Sequence, residues 1–109
     1  MEKKKPHYAL SRIRELLSEE STRFITTTAQ KNAASLGYMD VDAILEVIYR
    51  LNRNHFYKSM TAHHNPRLWQ DVYKIEDEEK DVKLYIKLQL GSDNNSAVII
   101  QFKKDEGGD

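Results

Sequence analysis

A chain of 109 residues without cysteine fits one compact domain, residues 1–109 sharing one core, and excludes disulfides, thiolate metal sites and cysteine nucleophiles. The charged opening from Met1 to Pro6 lacks the apolar stretch of a signal peptide, and no apolar run nears the ~20 residues that span a bilayer; a cytoplasmic protein without membrane contact is expected. Its 17 basic and 17 acidic residues cancel, so any affinity for a polyanion has to come from how the charges are distributed.

The first half reads as helix. Leu10, Ile13, Leu16 and Leu17 recur at helical spacing and predict a helix over His7–Glu19. Arg23–Thr26 reads as a short extended link. Thr27 with Gln30 matches a capping box that opens a second helix carrying Ala29, Ala33 and Leu36, and Gly37 suits the position just past its end. Asp40 then caps a third helix with Val41, Ile44, Leu45, Ile48 and Leu51 on one face.

After Asn54 the period changes from 3.6 to 2. Four strands are predicted, over His55–Met60, Leu68–Lys74, Val82–Leu90 and Ala97–Lys104, with His63, His64, Asn65 and Pro66 in a loop and Gly91–Ser96 a turn-rich connection. Phe56 and Trp69 read as core. Residues 105–109 read as a disordered tail. Helices followed by a strand meander make the fold class α+β, about three N-terminal helices packed on one face of an antiparallel sheet.

The last two strands constrain each other. Val82, Leu84, Ile86, Leu88 and Leu90 share one face, as do Val98, Ile100 and Phe102, and both apolar faces have to meet the helices. Pairing Leu90 with Val98 sets Leu88 against Ile100, Ile86 against Phe102 and Tyr85 against Lys103; a slip by two residues makes Tyr85 and Lys103 diagonal neighbours. In either register a tyrosine and several lysines occupy the solvent face, which can take phosphate and base together.

Charge follows the same division. Arg50, Arg53, Lys58, Arg67 and Lys74 face only Asp71 between positions 50 and 74, and four lysines face only Asp93 between Val82 and Lys104. The compensating acid lies in two short blocks, Glu76–Asp81 and Asp105–Asp109, of the kind that usually occupies exposed loops or tails. The strand half without them is basic, with Lys83, Lys87 and Arg67 as candidate contacts to a polyanion, although ordinary solvated loops on a neutral protein account for the same pattern.

Phe56-Tyr57-Lys58-Ser59-Met60, Trp69-Gln70-Asp71-Val72-Tyr73, Leu84-Tyr85-Ile86-Lys87 and Phe102-Lys103, together with the opening Met1-Glu2-Lys3-Lys4, Pro6-His7 and Leu10-Ser11, resemble the MqsR toxins in order along nearly the whole chain. The first two strings carry most of the specificity. The loops around Glu76–Asp81 and Gly91–Asn95 are slightly longer than the family's, and they flank the site that the motifs mark. The resemblance implies a RelE-like fold and a ribosome-independent, metal-independent endoribonuclease without cofactor, cutting mRNA at short GC-containing sites. It also implies a cognate antitoxin, zinc-bearing and with a helix-turn-helix DNA-binding half, in a type II toxin–antitoxin pair.

Carried over by motif, the implied catalytic set is Lys58, Gln70, Tyr85 and Lys103, converging on one concave patch. Cleavage of this kind deprotonates a 2′-hydroxyl, stabilises a dianionic phosphorane and protonates the 5′-oxygen. Lys58 and Lys103 would stabilise charge, Tyr85 would orient or protonate an oxygen, and Gln70 would hold phosphate or ribose. Taken singly, a strand lysine is usually solvated surface and a tyrosine usually covers sheet; the four motifs in order make the case. Two rivals stand beside it. His7, His55, His63 and His64 could run an imidazole mechanism or gather a metal, but no His-Glu-x-x-His pattern and no cysteine ligand accompanies them. A non-catalytic RNA-binding or protein-interaction domain also accounts for basic, aromatic strands, though no RNP-type aromatic signature is present.

Overall fold

The structure, a computed structural model, describes residues 1–107. In chain order these form β1 (Glu2–Lys3), α1 (Leu10–Leu17), β2 (Arg23–Ile25), α2 (Thr27–Ser35), α3 (Val41–Arg50), β3 (Phe56–Ala62), β4 (Asn65–Asp77), β5 (Val82–Leu90) and β6 (Ala97–Lys104). The strands make one six-stranded sheet in the order β1-β3-β4-β5-β6-β2. All neighbours are antiparallel except β2, which runs parallel to β6. The α+β class and the period change after Asn54 are as the sequence predicts; β1 has no counterpart there, because a Glu-Lys pair shows no apolar alternation.

One face of the sheet is buried under the helices. Ile13, Leu16 and Leu17 of α1, Ala29 and Ala33 of α2, and Ile44, Leu45, Val47 and Ile48 of α3 share a core with Tyr73, Ile75, Leu84, Ile86, Leu88, Ile99 and Phe102. The Asp40 carboxylate accepts from the Ala43 amide at 2.8 Å, the expected cap of α3. Gly37 sits at φ +99° beyond α2. Its amide donates to Ala34 O, and that of Tyr38 to Ala33 O, closing the helix in a Schellman turn.

Two helix ends differ from expectation. α2 is capped by Thr26, not Thr27: Thr26 Oγ1 accepts from the Ala29 amide while its own hydroxyl donates to Ile100 O. Its amide also donates to Ile99 O, so Thr26 ends β2 and starts the helix at once. α1 begins at Leu10, not His7, because the His7 and Tyr8 amides donate to the Asp71 carboxylate.

The last hairpin holds half of the expected register. Tyr85 pairs with Lys103 and Ile86 with Phe102, but the ladder then shifts, so Leu88 faces Ile99 and Leu90 faces Ala97. One extra residue on β6, a bulge at Ile100, reverses which side chains face inward. Ala97 and Ile99 are fully buried, whereas Val98 and Ile100, expected inside, are only half-buried.

Phe56 and Trp69 lie outside the buried core. Phe56 packs at its edge, edge-on to Tyr73. Trp69, near the tip of the β3–β4 hairpin, lies beyond the helices and is covered by the His7 ring instead, stacked at 5.5 Å. The acid block after Glu76 is not wholly a solvated loop either. Asp77 ends β4 only 4 % exposed, accepting from the Tyr38 hydroxyl and from the Glu79 and Lys80 amides. Of the stretch read as a tail, Asp105 donates its amide to Lys83 O and its carboxylate meets the Lys74 ammonium at 3.3 Å. Positions 108 and 109 lie outside the described residues.

Candidate active site

The sheet face turned away from the helices is organised by register, since directly opposed residues share a face. One row across β4, β5 and β6 is Lys74, Tyr85, Lys103. The next, starting on β3, is Lys58, Val72, Lys87, Gln101. Beyond it Met60 opposes Gln70, whose Nε2 donates to Gln89 Oε1 at 2.8 Å. Val72 at the centre of this face is fully buried although no helix covers it. The surrounding stems supply that burial, as long cationic side chains do when only their heads reach water.

Lys58, Met60, Tyr85, Lys87 and Lys103 line a hollow of about 240 Å³, closed on one side by Asp105, Glu106 and Gly107. The Lys103 ammonium lies 5.1 Å from the Tyr85 ring centroid and that of Lys87 6.0 Å from it. On the β3 side a bulge at Tyr57 sets its ring beneath two more cations, Lys74 at 3.9 Å and Lys58 at 5.6 Å. Lys58 is only 3 % exposed and donates to Glu2 Oε2 at 2.9 Å. That hydrogen bond, reinforced by the ammonium charge, holds the Glu2 carboxyl below its usual range. A floor of tyrosine faces under several ammonium groups can bind an anion while presenting a ring to a base.

Of the residues singled out from sequence, Lys58, Tyr85, Lys103 and Lys87 thus meet at one hollow. Gln70 does not line it; it lies on the same face one row away, opposite Met60. Lys83 is exposed two residues before Tyr85 on the same face, facing Glu76 across the ladder. Arg67 sits near the tip of the β3–β4 hairpin, five residues from Val72, on the order of 16 Å along the strand. The structure does not bring it to the hollow. Lys74, Tyr57 and Glu2 belong to this neighbourhood and were missed. Glu2 and Tyr57 stand inside the strings that carried the family resemblance, which was the available signal; Lys74 had only its place in the basic stretch.

The histidines are elsewhere. His55 accepts from the Asn52 amide in a capping box, His63 and His64 occupy the exposed β3–β4 turn, and His7 lies on Trp69. Among the described residues no three of His, Asp and Glu gather as metal ligands would.

The family profile described as motility quorum-sensing regulator, toxin of MqsA, matches residues 5–104. The chain belongs to the MqsR toxin family. It is 36 % identical over 104 residues to the mRNA interferase toxin MqsR of Escherichia coli (strain K12), a match covering 95 % of this chain and 99 % of that relative. The family match spans every residue of the hollow up to Lys103 and stops at Lys104, so Asp105 and Glu106, which close one side, lie beyond it.

Proposed function

We propose that this chain is an mRNA interferase, the toxin of a type II pair with an MqsA-like antitoxin, cutting mRNA without ribosome or metal. The observation that carries the reading is the meeting of Lys58, Lys87, Lys103 and Tyr85 at one hollow, in a chain of this family. The hollow suits a phosphodiester in size and charge, and the tyrosine rings offer neighbouring bases a surface to stack on.

The reaction needs one bond made and one broken. The 2′-oxygen attacks the adjacent phosphorus, the bond to the 5′-oxygen breaks, the 2′-hydroxyl gives up its proton and the departing oxygen gains one. Lys58, Lys87 and Lys103 carry the growing charge of the phosphorane, and the Tyr85 hydroxyl moves or steers a proton. Gln70, one row away, holds the flanking ribose or phosphate. Cations and a hydroxyl in fixed places perform these tasks without a metal.

A long RNA incubated with the purified chain in EDTA, without ribosomes, is the test. Fragments ending in 2′,3′-cyclic or 3′-phosphate, with 5′-hydroxyl partners, are expected. Activity lost to chelator and restored by zinc or magnesium would overturn the mechanism. An RNA shifted on a gel but never shortened would leave a binding domain.

A further inference from the structure

We propose that Glu2 is a positioning residue for RNA cleavage: from the N-terminal strand its carboxylate holds the Lys58 ammonium in register with the hollow. The proposal rests on the nuclease reading above and assigns it a residue outside the catalytic set.

A lysine head on four rotatable bonds is mobile, and placing one without a partner forfeits the precision that catalysis needs. Lys58 has little water to solvate its charge, being only 3 % exposed. An ammonium so placed requires a counter-charge. Glu2 supplies one at 2.9 Å. The carboxylate comes from the neighbouring edge strand: β1 pairs with β3 so that Glu2 opposes Met60, itself a wall of the hollow, and reaches diagonally to Lys58.

A two-residue strand at a sheet edge does not hold itself in place. This one is held from the other face. Strand alternation sends Lys3 to the helix side, where its ammonium lies 4.3 Å from the Trp69 ring and donates to His7 Nδ1 at 2.8 Å. The chain then meets the Asp71 carboxylate, which is 2 % exposed and accepts from the His7 amide at 3.1 Å on each oxygen and from the Tyr8 amide at 3.0 Å. The Tyr8 hydroxyl donates to Trp69 O at 2.7 Å. An otherwise unexplained set of contacts, the buried Asp71 and the half-buried Trp69 included, thereby fixes the strand that carries Glu2.

The groups around Lys58 make the effect of Glu2 readable. β1 contributes Glu2 and β3 the Tyr57 ring; β4 contributes Lys74, β5 Tyr85 and Lys87, and β6 Lys103. Asp105 and Glu106 follow β6, with Asp105 already engaged by Lys74. Without the Glu2 charge, Lys58 keeps the surrounding cations and loses one carboxylate partner, a change that favours the neutral amine. Glu2 itself is more than half exposed, and a glutamine in its place still offers Lys58 an amide oxygen, so the variant loses stability with the buried ammonium's paired charge but keeps the hydrogen bond.

The test is Glu2→Gln, Glu2→Asp and Lys58→Ala, assayed on a short RNA in EDTA from about pH 6 to 9, with circular dichroism melts on each. Glu2→Gln should remain folded at the assay temperature with a lowered melt, lose about tenfold in kcat with KM nearly unchanged, and lose activity at lower pH on the alkaline side. Glu2→Asp should recover part of both. If folded Glu2→Gln keeps the parental kcat and pH profile while Lys58→Ala is inactive, Glu2 positions nothing and the nuclease reading survives alone. A rise in kcat on Glu2→Gln would also overturn the proposal, because the carboxylate would then be competing with phosphate. If folded Lys58→Ala cuts at the parental rate, the site itself is misassigned and the role of Glu2 falls with it.

Discussion

Replacing Tyr85 by phenylalanine removes one oxygen and little else. Tyr85 stands between Lys74 and Lys103 in the ladder, paired with a strand on either side, with Leu84 and Ile86 fully buried on the opposite face. Its ring, which receives the Lys103 and Lys87 ammonium groups, is unchanged in the variant. The structural cost is therefore about 1 kcal/mol or less, a Tm change of no more than roughly 4–8 °C for a domain of this size. Loss of a proton-handling group costs on the order of 10²–10⁴ in rate, or about 2.7–5.4 kcal/mol of barrier. The catalytic effect exceeds the structural one severalfold, so the two are separable. Single-turnover cleavage of an end-labelled RNA in EDTA gives the rate, and affinity for a non-cleavable 2′-deoxy analogue gives binding. Cleavage should collapse while binding and the melt stay close to parental. A folded Tyr85→Phe protein that cuts at the parental rate would refute the assignment of the hydroxyl.

Lys103→Ala removes one ammonium from the hollow, so binding of the non-cleavable analogue should weaken, with the slope of log K against log salt falling by about 0.7 and the difference vanishing at high salt; an unchanged slope would mean that Lys103 touches no phosphate. Asp77 meets Tyr38 and does not line the hollow, so it reports on stability instead. The Tyr38 hydroxyl, then the Lys80 amide and Arg50, hold its carboxyl below the usual range against its burial, so its contribution is complete above about pH 4, the unfolded value, and is lost as pH falls through the lower folded one. Asp77→Asn should therefore destabilise by about 1.5–3 kcal/mol in urea unfolding at neutral pH, and the gap to the parent should narrow as the solution is acidified below pH 4; a gap independent of pH would show that the charge contributes nothing.

Local pattern and family resemblance carried a good part of the molecule. The third helix, its Asp40 cap, Gly37 at a positive φ and the pairing of Tyr85 with Lys103 were legible because each depends on neighbours in sequence or on one apolar face meeting another. Membership of the MqsR family was legible from four short strings, and the same strings named Lys58 and Gln70, which no period or spacing singles out, beside Tyr85 and Lys103, which the hairpin register had already placed together. Tertiary structure decided the rest. The bulge at Ile100 turned Ile99 inward in place of its neighbours, because Thr26 and β2 claim the backbone of β6 at that point. Trp69 left the core for the His7 ring, Asp77 entered it on the Tyr38 hydroxyl, and Asp105 was drawn back to Lys74. Glu2 reached Lys58 across 56 residues of chain through a strand with no apolar signature. Hydrophobic periodicity tells which side of an element faces inward, but a charged or polar group takes whichever partner the fold brings within hydrogen-bonding distance, and that partner leaves no period in the sequence.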